Sequence, residues 1–299
     1  MSTIEDISKP PLAIVCHDAG GANLIVNWIL EYKYEVQVCM EGPAKFIWRS
    51  HFPDSVMLSM NDALKGANTL ISGTGMGDLE YLARIEARRL KIKSIAVIDH
   101  WINYKERFVR QSVLTLPDQI IVSDDYAKSQ AEDIFKPLPI IQMPNFYLQN
   151  ITKFLKKPER RELKNPYENI LIVAEPLALK TIENNDYLFQ DSIDYFFLNI
   201  EKINTSKDIV NIYFRPHPSE SLGNYDFIRD QYQDLVTNFK IINNRTIQED
   251  IELADLVCGT DSFAMVIALT AKVPTLSFTS PNRPDCFLPY KEIIHLKNM

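Results

Sequence analysis

Short apolar runs alternate along the chain with longer stretches in which apolar residues recur every three to four positions. This is the pattern of parallel α/β units. In the first half, strands are predicted at Leu12–His17, Glu35–Met40, Ser55–Leu58, Thr69–Gly73, Ser94–Asp99, Gln119–Ser123 and Ile140–Met143. Gly20–Tyr32 carries Leu24, Ile25, Trp28 and Ile29 at helical spacing, and Met76–Leu90 carries Leu79, Leu82, Ile85 and Leu90. Asp125–Phe135 predicts a shorter amphipathic helix. Across residues 150–168 the periodicity stops, and Lys153, Lys156, Lys157, Glu159, Arg160 and Arg161 crowd between prolines. A linker is expected there. The alternation then restarts, with strands predicted at Ile170–Ala174, Ile209–Phe214, Lys240–Ile242, Asp255–Gly259 and Thr275–Phe278. Helices are predicted at Asp186–Ile203, Tyr225–Phe239, Thr246–Ala254 and Ser262–Ala271, with a short one around Tyr290–Ile294.

The fold class this predicts is α/β, with two Rossmann-like domains facing a cleft. Residues 1–149 form the first domain, 150–168 the linker and 169–299 the second. The length of 299 residues suits two domains, and 46% hydrophobic content supplies a core for each. The net charge of −7 argues against nucleic acid as the main partner, because a phosphate backbone requires a basic surface. No apolar run reaches the roughly 20 residues of a membrane span. Of four scattered cysteines, Cys16, Cys39 and Cys258 lie in apolar runs and read as buried thiols. A cytoplasmic protein is expected, with peripheral association to a membrane assembly left open.

Candidate chemistry collects where predicted strands end, the edge at which open α/β sheets bind ligands. The most informative stretch is Phe214-Arg215-Pro216-His217-Pro218-Ser219, a stiff loop carrying a guanidinium and an imidazole suited to an anion. Five of nine glycines fall in two strand-to-helix turns, His17-Asp18-Ala19-Gly20-Gly21-Ala22-Asn23 and Ser72-Gly73-Thr74-Gly75-Met76-Gly77. Glycines there let backbone approach a ligand, or simply pack strand against helix. His17, His100 and His217 all sit at predicted strand ends, and the pair Asp99-His100 offers one or two candidate general bases. Gly259-Thr260-Asp261-Ser262 opens an apolar helix and reads as an N-cap or an anion site. Glu175, after Ile170–Ala174, lines the same edge; its spacing to Glu183 is read as coincidence. Neither glycine loop matches the dinucleotide fingerprint, and Walker, zinc and nucleophile-elbow motifs are absent from the sequence. Asp124-Asp125 reads as a helix cap rather than a metal site.

Taken in order, these motifs resemble the bacterial GT-B glycosyltransferases of surface-polysaccharide synthesis. The likeness is to groups with a His-Pro motif: sialyltransferases, capsule-synthesis transferases and glycerophosphotransferases. His217-Pro218 and Thr260-Asp261-Ser262 match the elements that hold the donor phosphate in that family, and Asp99-His100 occupies the strand end that supplies its base. Trp101 stands where a glycine ends both known versions of that motif, so the donor's identity does not transfer. The resemblance implies a nucleotide-sugar donor, with a CMP-sugar favoured, bound by Glu175, Arg215, His217, Thr260, Asp261 and Ser262. It implies a glycan or lipid-linked acceptor of capsule or lipopolysaccharide type, received near His17, Asp18, Gly20, Gly21, Asn23, Gly73 and Gly75. Asp99 or His100 would take its proton. Inverting transfer without a metal or cofactor is expected. The alternatives are a sugar-nucleotide hydrolase or epimerase, or a non-catalytic nucleotide-binding protein.

Overall fold

In a computed structural model, strand β1 (Leu12–Cys16) is wholly apolar and wholly buried, as a central parallel strand must be when both its faces are covered. The structure describes residues 8–153, 155, 167–175, 178–180, 186–203, 211–217 and 220–299, without the side chains of 178–180 and 186–188. Two compact units divide the chain, Met1–Gln149 and Asn150–Met299.

The first unit contains a six-stranded sheet, built from β1, β2 (Val36–Met40), β3 (Thr69–Ser72), β4 (Lys93–Val97), β7 (Gln119–Val122) and β8 (Ile140–Gln142). Their order is β2-β1-β3-β4-β7-β8, and every pairing is parallel. Helices α1 (Ala19–Tyr32), α2 (Gly42–His51), α3 (Met60–Leu64), α4 (Asp78–Leu90) and α5 (Asp125–Phe135) intervene, and a small antiparallel hairpin joins β5 (Val109–Arg110) to β6 (Val113–Leu114). One face of the sheet packs Leu24, Ile25, Trp28 and Ile29 of α1, the residues whose spacing predicts that helix. The other packs Ala83 and Ala87 of α4. Two small side chains there let α4 lie close to the sheet.

The strand expected at Ser55–Leu58 shrinks to one parallel bridge, Val38 to Met57. Pro53 and Asp54 precede it, and Val56 is exposed, so the segment has no second face to bury. α2, α3 and the hairpin were not anticipated. Helix α6 (Phe146–Lys153) crosses from one unit into the other, so its last turn occupies part of the expected linker. Residues 156–166 of that linker lie outside the described residues.

The second unit repeats the architecture with strands in the order β13-β12-β9-β14-β15-β16. These are β9 (Asn169–Val173), β12 (Asn211–Arg215), β13 (Asn238–Ile241), β14 (Leu256–Gly259), β15 (Thr275–Ser277) and β16 (Ile294–His295), again all parallel. An aromatic core of Phe189, Phe196, Phe197, Phe214, Tyr225 and Phe278 fills one side.

Three helices differ from expectation. Asp186–Ile203 splits: Asp186–Leu188 (β11) pairs antiparallel with Ala178–Lys180 (β10), and helix resumes as α7 (Phe189–Leu198) and α8 (Ile200–Ile203). The aromatic run satisfies strand and helix propensities alike. Tyr225–Phe239 yields only α9 (Asp226–Tyr232) between 3-10 turns, because Asn238-Phe239-Lys240-Ile241 alternates with period two and joins the sheet as β13. The helix expected around Tyr290–Ile294 is absent; β16 extends the sheet there and a 3-10 turn ends the chain. Thr246 caps α10 (Ile247–Leu253) through a capping box with Glu249, and Ser262 caps α11 (Phe263–Thr270). Among the described residues no helix is long and apolar enough to cross a membrane.

Candidate functional site

In a doubly wound sheet, the connections leave in opposite directions where the strand order reverses, and this opens a crevice beyond the carboxyl ends of the two strands concerned. The reversal lies between β1 and β3 in the first sheet and between β9 and β14 in the second. His17 and Asp18 follow β1, and Gly73 to Gly75 follow β3. Glu175 follows β9, and Thr260 to Ser262 follow β14.

At the first reversal, the His17 imidazole Nδ1 lies 2.6 Å from Asp18 Oδ1, both side chains remaining partly exposed. The hydrogen bond to Asp18 raises the His17 pKa above its ordinary value. The His17 backbone N–H donates to Glu80 Oε1 at 2.7 Å. Glu80 is fully buried on α4, and that burial raises its pKa. One turn further along, buried Arg84 donates to Ser72 Oγ at 3.2 Å and to the Gly73 carbonyl at 3.1 Å. Its burial lowers its pKa to about 10. Two charged side chains of one helix therefore hold both walls of the crevice.

The glycines have their explanation here. A Cβ on Gly20 would lie 1.6 Å from Asp99 Oδ2, and one on Gly75 would lie 2.5 Å from Asp18 Oδ2. On Gly73 it would meet Cys16 Sγ at 2.7 Å, and on Gly21 the Gly73 Cα at 3.3 Å. The loops are glycine-rich so that they can close on these polar side chains. Asn23 lies further back, inside α1, where its carbonyl accepts from Asn27 Nδ2 at 2.8 Å.

Strand β4 ends at Val97, so Asp99 and His100 stand in the loop beyond it rather than on the strand. Asp99 Oδ1 accepts from Arg107 Nη1 at 2.7 Å, an ion pair in which both side chains are mostly buried. The same guanidinium group donates to Thr74 Oγ1 at 3.0 Å and the Ile102 carbonyl at 3.2 Å. Asp99 is thus pinned between Arg107 and Gly20. The half-buried His100 ring lies 5.3 Å from that of Trp101. Trp101 Nε1 donates to Asp124 at 3.0 Å, while Asp124 caps α5 by accepting from Ala127 N–H at 2.7 Å.

At the second reversal, the Glu175 carboxyl accepts from the Ser262 hydroxyl and faces Asp261. Burial and the neighbouring Asp261 charge push its pKa up to about 7. Asp261 is raised as well, chiefly by burial, although the Phe287 N–H and the Cys286 thiol donate to it. Thr260 is buried, and its carbonyl accepts from Ser277 Oγ at 3.3 Å.

Arg215 ends β12, but its Nη1 is committed to the buried Asp250 carboxylate and, at 2.9 Å, to the Arg245 carbonyl. The sequence assigns this guanidinium to a ligand; the structure assigns Nη1 to tying β12 to α10. His217 is half-buried, and loss of water lowers its pKa, which favours neutral imidazole. Pro218 and Ser219 of the same motif, and Glu183, lie outside the described residues.

Sequence reasoning missed Glu80, Arg84 and Arg107. Glu80 and Arg84 carry a faint signal, a charged i,i+4 pair, but on the side of the predicted helix away from Leu82, Ile85 and Leu90, which the structure leaves exposed. Arg107 stands in an aperiodic stretch, eight residues beyond Asp99, and has none.

No family model matches the sequence, and no curated protein matches it. Solved structures do share the fold. The UDP-GlcNAc 2-epimerase of Methanocaldococcus jannaschii, in complex with UDP-GlcNAc and UDP, is 14% identical at a TM-score of 0.58, covering 95% of this chain and 88% of that one. The Neisseria meningitidis UDP-GlcNAc 2-epimerase bound to UDP-GlcNAc is 14% identical at 0.56, covering 89% and 82%. Anabaena HepE in complex with UDP-glucose is 11% identical at 0.55, covering 88% and 79%. At these identities the likeness fixes the architecture: two Rossmann-like units of the GT-B kind, each with a six-stranded parallel sheet.

Proposed function

We propose that this chain is an enzyme acting on a nucleotide sugar, and that it transfers the sugar to a glycan acceptor. The observation that carries the proposal is the second strand reversal. There Thr260-Asp261-Ser262 opens helix α11 directly beside Glu175, in a sheet whose strand order is the one that holds dinucleotides. In this reading the N–H groups and hydroxyls at the start of α11 receive the donor phosphate. His217, neutral at pH 7, contributes one N–H. Glu175, protonated for part of the time at neutral pH, donates a further hydrogen bond, so the phosphate does not meet two carboxylate charges.

The chemistry proposed is direct displacement. The acceptor oxygen bonds to the anomeric carbon, the bond to the leaving phosphate breaks, and the acceptor proton passes to a base on the N-terminal unit. Asp99 and His100 remain proposed for that role. The geometry adds His17, whose imidazole is oriented by Asp18 in the manner of an oriented general base. His17→Asn, Asp99→Asn and His100→Ala separate the three: the base is the one whose loss lowers kcat at least a hundredfold with KM little changed. Full activity in all three variants would remove the proposed mechanism. Since the phosphate is met by hydrogen-bond donors, turnover is expected to persist in EDTA.

The His-Pro resemblance favours a cytidine nucleotide, whereas the fold neighbours are complexes of UDP-GlcNAc or UDP-glucose. The donor panel therefore spans CMP-, UDP- and GDP-sugars. The same neighbours favour a second reading, epimerisation or hydrolysis of the nucleotide sugar. Incubation without acceptor distinguishes them, because only the second reading yields an epimer or free sugar under those conditions.

A further inference from the structure

The outer face of α4 and the β5–β6 hairpin has no part in the site described above. Of the seventeen large hydrophobic side chains exposed among the described residues, six fall there: Met76, Leu82, Ile85, Leu90, Val113 and Leu114, each 41% to 57% exposed. They belong to one surface because the hairpin is bound along the helix. Arg110 donates to the Gly75 and Gly77 carbonyls at 2.9 and 2.7 Å, Thr115 Oγ1 to Tyr81 Oη at 3.2 Å, and Arg88 to the Leu116 carbonyl at 2.9 Å. Leu82 and Ile85, three apart, share the outward side of α4, while Tyr81, Arg84 and Ala87 face inward and hold the helix in the fold.

The helix then runs into Arg88-Arg89-Leu90-Lys91-Ile92-Lys93, which has four cations in six residues and no acid, in a chain of net charge −7. All but Ile92 are exposed. The nearby acids Glu86 and Asp78 are engaged by Arg89 and Arg110.

Exposed apolar side chains on α4 and its hairpin, followed at the helix end by exposed cations, match a lipid surface in both terms: apolar area for the acyl boundary and positive charge for anionic headgroups. A nucleic acid would use the cations but not Leu82, Ile85, Val113 and Leu114. We propose that this face seats the chain on a bilayer bearing anionic lipid. The inference does not depend on the proposed reaction.

Co-sedimentation with vesicles of phosphatidylcholine alone, or with 30% phosphatidylglycerol, tests it on the full chain. The wild type is expected to pellet with the anionic vesicles, to pellet much less with the neutral ones, and to be released by 0.5 M salt, which screens the charge term. Lys91→Glu with Lys93→Glu should weaken partitioning by at least tenfold, at about fivefold per cation removed. Leu82→Ser with Val113→Ser, both exposed and so compatible with folding, should weaken it at any salt. An unchanged melting temperature verifies that each variant is folded. Equal binding to neutral and anionic vesicles, binding undiminished in both double variants, or retention by duplex DNA with none by vesicles would overturn the proposal.

Discussion

Burial of Glu175 makes the protein's stability depend on pH. The carboxyl's folded pKa of about 7 stands above its ordinary value of 4.5, so the charged form is the one the fold disfavours. The resulting stability is complete below pH 4.5 and is lost as pH rises through about 7. At about 1.4 kcal/mol per pKa unit, less a discount for the solvent the side chain still sees, the effect is about 2 kcal/mol. Glu175→Gln should flatten the stability profile between pH 5 and pH 8 in urea titrations; an unchanged slope would show that Glu175 ionises as an ordinary carboxylate. Gly20 makes a second prediction. Gly20→Ala must displace Asp99, which Arg107 holds in place, and should cost about 1–3 kcal/mol. Gly77→Ala, where a Cβ meets nothing within 4 Å, should cost less, about 0.5–1 kcal/mol, for the loss of glycine at the α4 N-cap. Glycine-rich loops were legible in the sequence; what they approach was not, because Asp99 and Gly20 meet only through strand order.

At the scale of elements, the clamp between β12 and α10 decides what Arg215 does. Asp250 is almost fully buried, and its other charged neighbour, Arg245, stands 4.0 Å away. Arg215→Ala therefore strands a buried carboxylate and should cost about 3–5 kcal/mol in a denaturant melt. A variant that binds nucleotide poorly yet melts like wild type would instead make Arg215 a ligand residue. The sequence placed this guanidinium at the correct strand end but could not show its partner, 35 residues on, in the predicted helix Thr246–Ala254. Central strands were legible because burial on both faces leaves unbroken apolar runs, as in β1 and β14. The edges were less so. Asn238–Ile241 is half exposed, so only its second half shows as the predicted strand Lys240–Ile242 while Asn238-Phe239 falls in the predicted helix, and Ile294–His295 is too short to show any period.

For the molecule as a whole, alternation of strand and helix was sufficient to predict two doubly wound units, and His17, Asp18, Glu175 and Thr260–Ser262 lie beyond the strands that flank their reversals. Tertiary side-chain partners escaped the sequence. Glu80, Arg84 and Arg107 organise the N-terminal edge from the inward face of α4, opposite the apolar spacing of Leu82, Ile85 and Leu90, and from an irregular loop. Calorimetric titration with UDP, CMP, GDP and CDP decides whether the C-terminal unit holds a nucleotide at its strand reversal. At least one nucleotide is expected to bind the wild type with Kd below about 1 mM, more weakly as pH rises through 7, and at least fivefold more weakly to Ser262→Ala. Binding of none of the four, or binding that Ser262→Ala and Thr260→Ala leave unchanged, would contradict the proposed nucleotide site.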